Sequence, residues 1–145
     1  MWLWRMTRDA LTAMRWRRRL EHRSAYVRQA SADQLGAIAN RRAVRPLSER
    51  LHDEDWLVRR SAAWALGDIG DARAVPALRI ALLDQDSDVR EAAANALGVI
   101  GDPRVIPALQ ATLNDSNDAV RQAADSAIAS LEACRQDARG PAGRA

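Results

Sequence analysis

A 31-residue period constrains this chain more than any other feature. Val27-Arg28, Val58-Arg59, Val89-Arg90 and Val120-Arg121 recur at that spacing. Eight residues past each Val stand Leu35-Gly36, Leu66-Gly67, Leu97-Gly98 and Ile128-Ala129, followed in step by Ile38, Ile69, Ile100 and Leu131. Ahead of each Val come Leu20, Leu51, Leu82 and Leu113, and before those Trp16, Leu47, Leu78 and Leu109. Residues 53–83 and 84–114 agree at 17 of 31 positions without a gap, so they are copies of one structural element. A fixed period in this range marks a stacked array, in which each unit buries its apolar face only against its neighbours.

Each unit reads as two helices. In the third, Val89, Ala92, Ala93, Ala96, Leu97 and Ile100 form an i, i+3, i+4 stripe behind a predicted N-cap at Asp88. Gly101-Asp102-Pro103 breaks that helix. A second helix is expected to start near Arg104 and to bury Val105, Ile106, Leu109 and Leu113, with residues 114–118 turning into the next unit. Phe is absent and Tyr occurs once, so the core must come from Ala-rich helices that approach closely. Gly67 and Gly98 lie inside helices, where Gly costs about 1 kcal/mol against Ala. Their recurrence predicts a close helix crossing at that register.

The pattern Asp-x-x-Val-Arg-x-x-Ala-x-x-Ala-Leu-Gly-x-Ile-Gly-Asp-x-Arg-Ala-Val-Pro-x-Leu, nearly intact over residues 86–109 and 55–78, resembles the HEAT-like repeat of phycobilisome lyase subunits and bacterial scaffold proteins. The resemblance covers residues 16–133. It implies an all-α fold, a right-handed α-α superhelix (HEAT-repeat solenoid) of about four 31-residue helix pairs. Residues 1–134 are then one domain: an N-terminal capping helix over 1–23 and repeats over 24–52, 53–83, 84–114 and 115–134. Residues 135–145, with two Gly and one Pro, are expected to be a disordered tail. The first unit departs at Asn40-Arg41-Arg42 and the last loses its Gly, as terminal units do.

Charge narrows the classes of function. All 22 basic residues are Arg. Residues 1–50 carry twelve Arg against four acids, while residues 51–145 carry ten against fifteen, so the molecule is dipolar and suits an oriented encounter. Cys134 stands alone, which leaves no disulfide framework and no thiolate metal site. No run approaches the roughly 20 apolar residues of a membrane span, and the start lacks the layout of a secretory signal. The Arg-rich, acid-poor first 20 residues have the composition of a transit peptide but fit the repeat register better. A cytoplasmic protein is the expectation.

By the family's architecture, the Val-Arg helix of each pair lines the concave side. The residues expected there include Asp33, then Arg60, Trp64 and Asp68, then Glu91 and Asn95, then Asp125. Trp64 stands where other units carry Asp33, Asn95 and Ser126, so the repeat itself does not demand a large ring. Trp and Arg dominate interface hot spots, which makes Trp64 with Arg60 a candidate anchor; the alternative is surface packing over Ala63 and Ala94. The periodic Arg28, Arg59, Arg90 and Arg121, matched by Asp53, Asp84 and Asp115, read as structural ties between units rather than as a ligand-binding stripe. A second contact surface is offered by Trp2, Trp4, Arg15, Arg17, Arg18 and Arg19, either as a cap on the open end or as a basic helix meeting an acidic protein or a membrane.

No catalytic, cofactor or metal site is expected. A related helical repeat forms an iron-dependent hydroxylase of a modified lysine, but that activity needs several His-Glu pairs, and His22 and His52 belong to none. Nucleic acid binding wants clustered basic residues, whereas the expected groove sets Arg60 against Asp33, Asp68, Glu91 and Asp125. The reading is therefore a protein-binding scaffold with a protein partner. The alternatives are a chaperone-like subunit of a phycobilin-lyase-type complex, or nucleic-acid binding through the basic N-terminal third. Membrane contact is left to the N-terminal helix, and end-to-end self-association to an incomplete cap.

Overall fold

The computed structural model describes residues 15–16 and 18–137. Seven α-helices follow one another among them: α1 (Ala25–Ala37), α2 (Val44–Arg50), α3 (Trp56–Ile69), α4 (Val75–Ala81), α5 (Ser87–Ile100), α6 (Ile106–Thr112) and α7 (Asp118–Asp137). The long helices α1, α3, α5 and α7 stack side by side, and each short helix packs against the long helix that follows it. The result is a two-layered α-solenoid of three helix pairs and a fourth long helix. Residues 15–16 and 18–19 are also helical, and Trp16 packs on the core beside the fully buried Leu20.

The boundaries follow from capping chemistry. Asp55, Asp86 and Asn117 accept the backbone N–H of Leu57, Asp88 and Ala119, satisfying orphan donors at the starts of α3, α5 and α7. The N-cap of α5 is therefore Asp86, not Asp88. Asp84 fills the turn before it by accepting from Asp86 N–H, which moves the start two residues earlier than the Val-Arg pattern predicts. Gly70 and Gly101 end α3 and α5 with φ of 65° and 81°, the left-handed region where Gly carries no Cβ penalty. The same position in the first unit is Ala39, also left-handed at φ 50°. Asp71 and Asp102 then cap short 3-10 turns that lead into α4 and α6, and Asn40 substitutes by accepting from Arg42 N–H. The second helix of the third unit thus opens with a 3-10 turn, Pro103–Val105, before the α-helical part.

A single apolar seam runs through the stack. Leu35, Leu47, Leu66, Leu78, Leu97, Leu109 and Leu131 are all fully buried, interleaved with Val58, Val89 and Val120. Small residues let the long helices meet. A Cβ placed on Gly36, Gly67 or Gly98 would lie 2.8, 3.0 or 3.0 Å from the Cα of Ala65, Ala96 or Ala127, inside any relaxed contact. Leu113 is the exception to its register: Leu20, Leu51 and Leu82 are buried, but Leu113 is 37% exposed because no further short helix covers it among the described residues.

Candidate interaction groove

The periodic Arg residues fasten one unit to the next. Arg28 donates from Nε and Nη2 to the two carboxylate oxygens of Asp53 at 2.8 and 2.7 Å, and its Nη1 reaches the carbonyls of His22 and Arg23. Arg59 repeats the geometry on Asp84 and on the carbonyls of Asp53 and Glu54. Arg90 does so on Asp115, Asp84 and Gln85. Each guanidinium thus ties the loop before its own helix to the loop before the next long helix. Arg121 keeps the inward half, to the carbonyls of Asp115 and Ser116, but turns Nη2 to Asp118 of its own helix. These Arg side chains are consumed by the scaffold. Buried side-chain polar atoms among the described residues all have partners.

The ties also set the ionisation of the loops. Hydrogen bonds from Arg90, outweighing burial, hold Asp115 below the usual carboxylate range. Burial pushes Asp53 up, but hydrogen bonds from Arg28 and from Asp55 N–H together exceed it and leave Asp53 lowered. On the outer edge, Arg104 forks onto Asp102 and Arg73 onto Asp71, lowering both carboxyls.

With the Val-Arg positions spent, the open face of the long-helix layer carries what remains. On α3 it presents Trp56, Arg60, Trp64 and Asp68, spaced i, i+4, i+8 and i+12. Trp64 is 44% exposed and Trp56 38% exposed. Arg60 lies over the Trp56 ring, its Cζ 5.4 Å from the centroid, with Nη1 3.7 Å from Asp88 on α5. The sequence pairs Arg60 with Trp64; the structure turns it the other way, one helical turn back. Trp56 joins the stripe outside the expected groove positions, although its counterparts Ala25, Ser87 and Asp118 are small or polar, the same signal that marks Trp64.

On either side of this stripe, α1 contributes exposed Asp33, and α5 contributes half-buried Glu91 and Asn95. The Asp68 carboxylate reaches across to the Gly36 position of α1. Asp125 is placed differently. It occupies the register of Ala32, Ala63 and Ala94, which the following helix buries completely, and on α7 it faces outward at the end of the stack. Arg15, Arg18 and Arg19 are exposed, with Arg19 5.0 Å over the Trp16 ring, while Trp2, Trp4 and Arg17 lie outside the described residues. On the opposite layer, exposed Ile80 and Leu83 rim a cleft of about 560 Å³ between α4 and α6.

His22 accepts a hydrogen bond from Ser24 N–H through Nδ1, and His52 is exposed. Among the described residues, no group of three or more His, Cys, Asp or Glu side chains is placed to hold a metal ion. No helix among them is long and apolar enough to cross a membrane.

Comparison with known proteins agrees with this architecture. Human deoxyhypusine hydroxylase, solved in complex with glycerol, is similar over 95% of this chain at TM-score 0.77 and 27% identity. The complex of CpcE and CpcF of phycocyanin lyase from Nostoc sp. PCC7120 is similar over 80% of it at TM-score 0.60 and 25% identity. An engineered protein matches 83% of it at TM-score 0.67 and 24% identity, a likeness of fold alone. The chain spans 49%, 63% and 62% of those three chains, less than two thirds of each. No curated protein matches at a significant level. The sequence pattern that defines HEAT repeats matches residues 14–97 and again 73–129. With the stacked helix pairs, this makes the chain a member of the HEAT-repeat family.

Proposed function

We propose that the chain is a non-catalytic adaptor that holds a protein partner against the concave face of its long helices. The observation that carries this reading is Trp64: a large ring, 44% exposed, at a position where packing of the repeat is satisfied by Asp33, Asn95 and Ser126. Trp56 and Arg60 extend it into a continuous stripe along α3, the composition of an interface hot spot. Likeness to the CpcE–CpcF complex supports a role beside a partner chain. Stacking end to end is opposed by the last helix. Ala129 replaces the Gly of the close crossing, Asp125 replaces the buried Ala, and His22 stands where the other units carry the Asp that receives each Arg.

The test is affinity capture from lysate of the source organism with the wild-type chain, Trp64→Ala and Leu83→Ala, the last altering the opposite layer. Circular dichroism establishes that all three are folded. One protein recovered by wild type and Leu83→Ala but not by Trp64→Ala is the expected result. Equal recovery by all three refutes the groove.

A further inference from the structure

We infer that the groove receives an extended basic segment of the partner protein, with a Lys or Arg side chain lying on the face of Trp64; this rests on the groove reading above. The two exposed Trp residues of α3 are treated differently by the fold. Trp56 already has a cation, the guanidinium of Arg60 at 5.4 Å. Trp64 has none among the described residues, although the ring is exposed and its electron-rich face attracts cations.

The surroundings of Trp64 have the complementary charge. Elsewhere the chain ties its carboxylates to Arg: Asp53, Asp71, Asp84, Asp102 and Asp115 all sit in ion pairs of 2.7 or 2.8 Å. Asp33, Asp68 and Glu91 do not pair with any cation among the described residues, and all three lie within one helical turn or one helix of Trp64. Arg60, the only Arg on this face among the described residues, is engaged by Trp56 and Asp88. An aromatic face bordered by three carboxylates matches a cationic side chain, and it repels a phosphate backbone or an acidic peptide. The parallel long helices present these groups in rows across the stack, which suits a segment lying across several units.

The probe is a fluorescein-labelled decapeptide of alternating Lys and Ser, with a Glu-for-Lys counterpart, followed by anisotropy at low and physiological ionic strength. The Lys peptide should bind and weaken with salt, and the Glu peptide should not. Trp64→Ala should weaken the Lys peptide about tenfold, the loss of one desolvated cation–π contact, and Trp64→Phe should weaken it less. The triple variant Asp33→Asn/Asp68→Asn/Glu91→Gln, neutral and nearly isosteric, should weaken it at least as much and flatten the salt dependence. Absence of Lys-peptide binding, equal binding of the Glu peptide, or indifference to Trp64→Ala overturns the inference. If Trp64→Ala still loses the lysate partner while the Lys peptide fails to bind, the groove stands and only its basic ligand falls. If the variant retains the lysate partner, the groove itself falls.

Discussion

Replacing Gly67 with Ala sets two effects of known size against each other. A methyl at this mid-helix position of α3 gains about 1 kcal/mol of helix propensity. The same methyl would lie 3.0 Å from Ala96 Cα and 3.1 Å from Ala96 Cβ on α5, against a relaxed carbon–carbon contact of about 3.5–4.0 Å. The obstacle is backbone, so no rotamer change relieves it. The helices must separate by about half an ångström, loosening the contacts of buried Ala63, Leu66, Ala93 and Leu97. Overpacking of this kind costs about 1–3 kcal/mol. The net expectation runs from near neutrality to a loss of about 2 kcal/mol. For a chain of this size that is a fall of at most about 8 °C in melting temperature. Urea titration and thermal melts followed by circular dichroism measure both. Position 129 is the internal reference, since α7 carries Ala there with no helix stacked beyond it among the described residues. A Gly67→Ala protein that melts above the wild type, showing the full propensity gain of about 1 kcal/mol, would refute close approach as the reason for the glycine.

Other expectations follow from the same structure. Asp84→Ala strands the buried Arg59 guanidinium and should cost about 3–5 kcal/mol in urea titration, whereas Arg59→Met/Asp84→Leu should recover much of that loss. Ala39→Gly relieves a left-handed residue and should stabilise by about 0.5–1 kcal/mol; a destabilised variant would show that Ala39 is unstrained. Asp53 and Asp115 titrate below their unfolded value near 4, so their contribution is complete above that pH and is lost as pH falls through their lower folded values. Acid unfolding monitored by helicity should therefore begin below about pH 4, and Asp115→Asn should reduce its steepness. Trp64→Ala should leave stability within about 0.5 kcal/mol of wild type, as expected of an exposed side chain outside the core.

The period carried the architecture legibly because each repeated residue has one repeated task. Leu at the seam, Gly at the crossing and Arg opposite Asp at the joint are each tied to a neighbour 25–31 residues away, so spacing alone exposes them. What the spacing hid is set within a unit or by the absence of a neighbour. Two successive Asp caps share the turn before α5, so the pattern pointed to Asp88 where the cap is Asp86. Leu113 and Asp125 carry the register of buried positions, yet end exposed because nothing stacks on them among the described residues. Arg60 had two aromatic rings within one turn, and sequence distance does not decide between them. The contact with Asp88 on the next helix draws it toward Trp56.

The half-made joint at Arg121 has a consequence for how the molecule opens. α3 and α5 each stand between two Arg–Asp forks, whereas α7 receives one and extends none. In a one-dimensional array, opening free energy accumulates through nearest-neighbour interfaces. Amide hydrogen exchange should then show α7 detaching as a sub-global unit at lower cost than the whole. The slowest amides should sit in α3 and α5, so the helix that carries Trp56 and Trp64 belongs to the most persistent part of the solenoid.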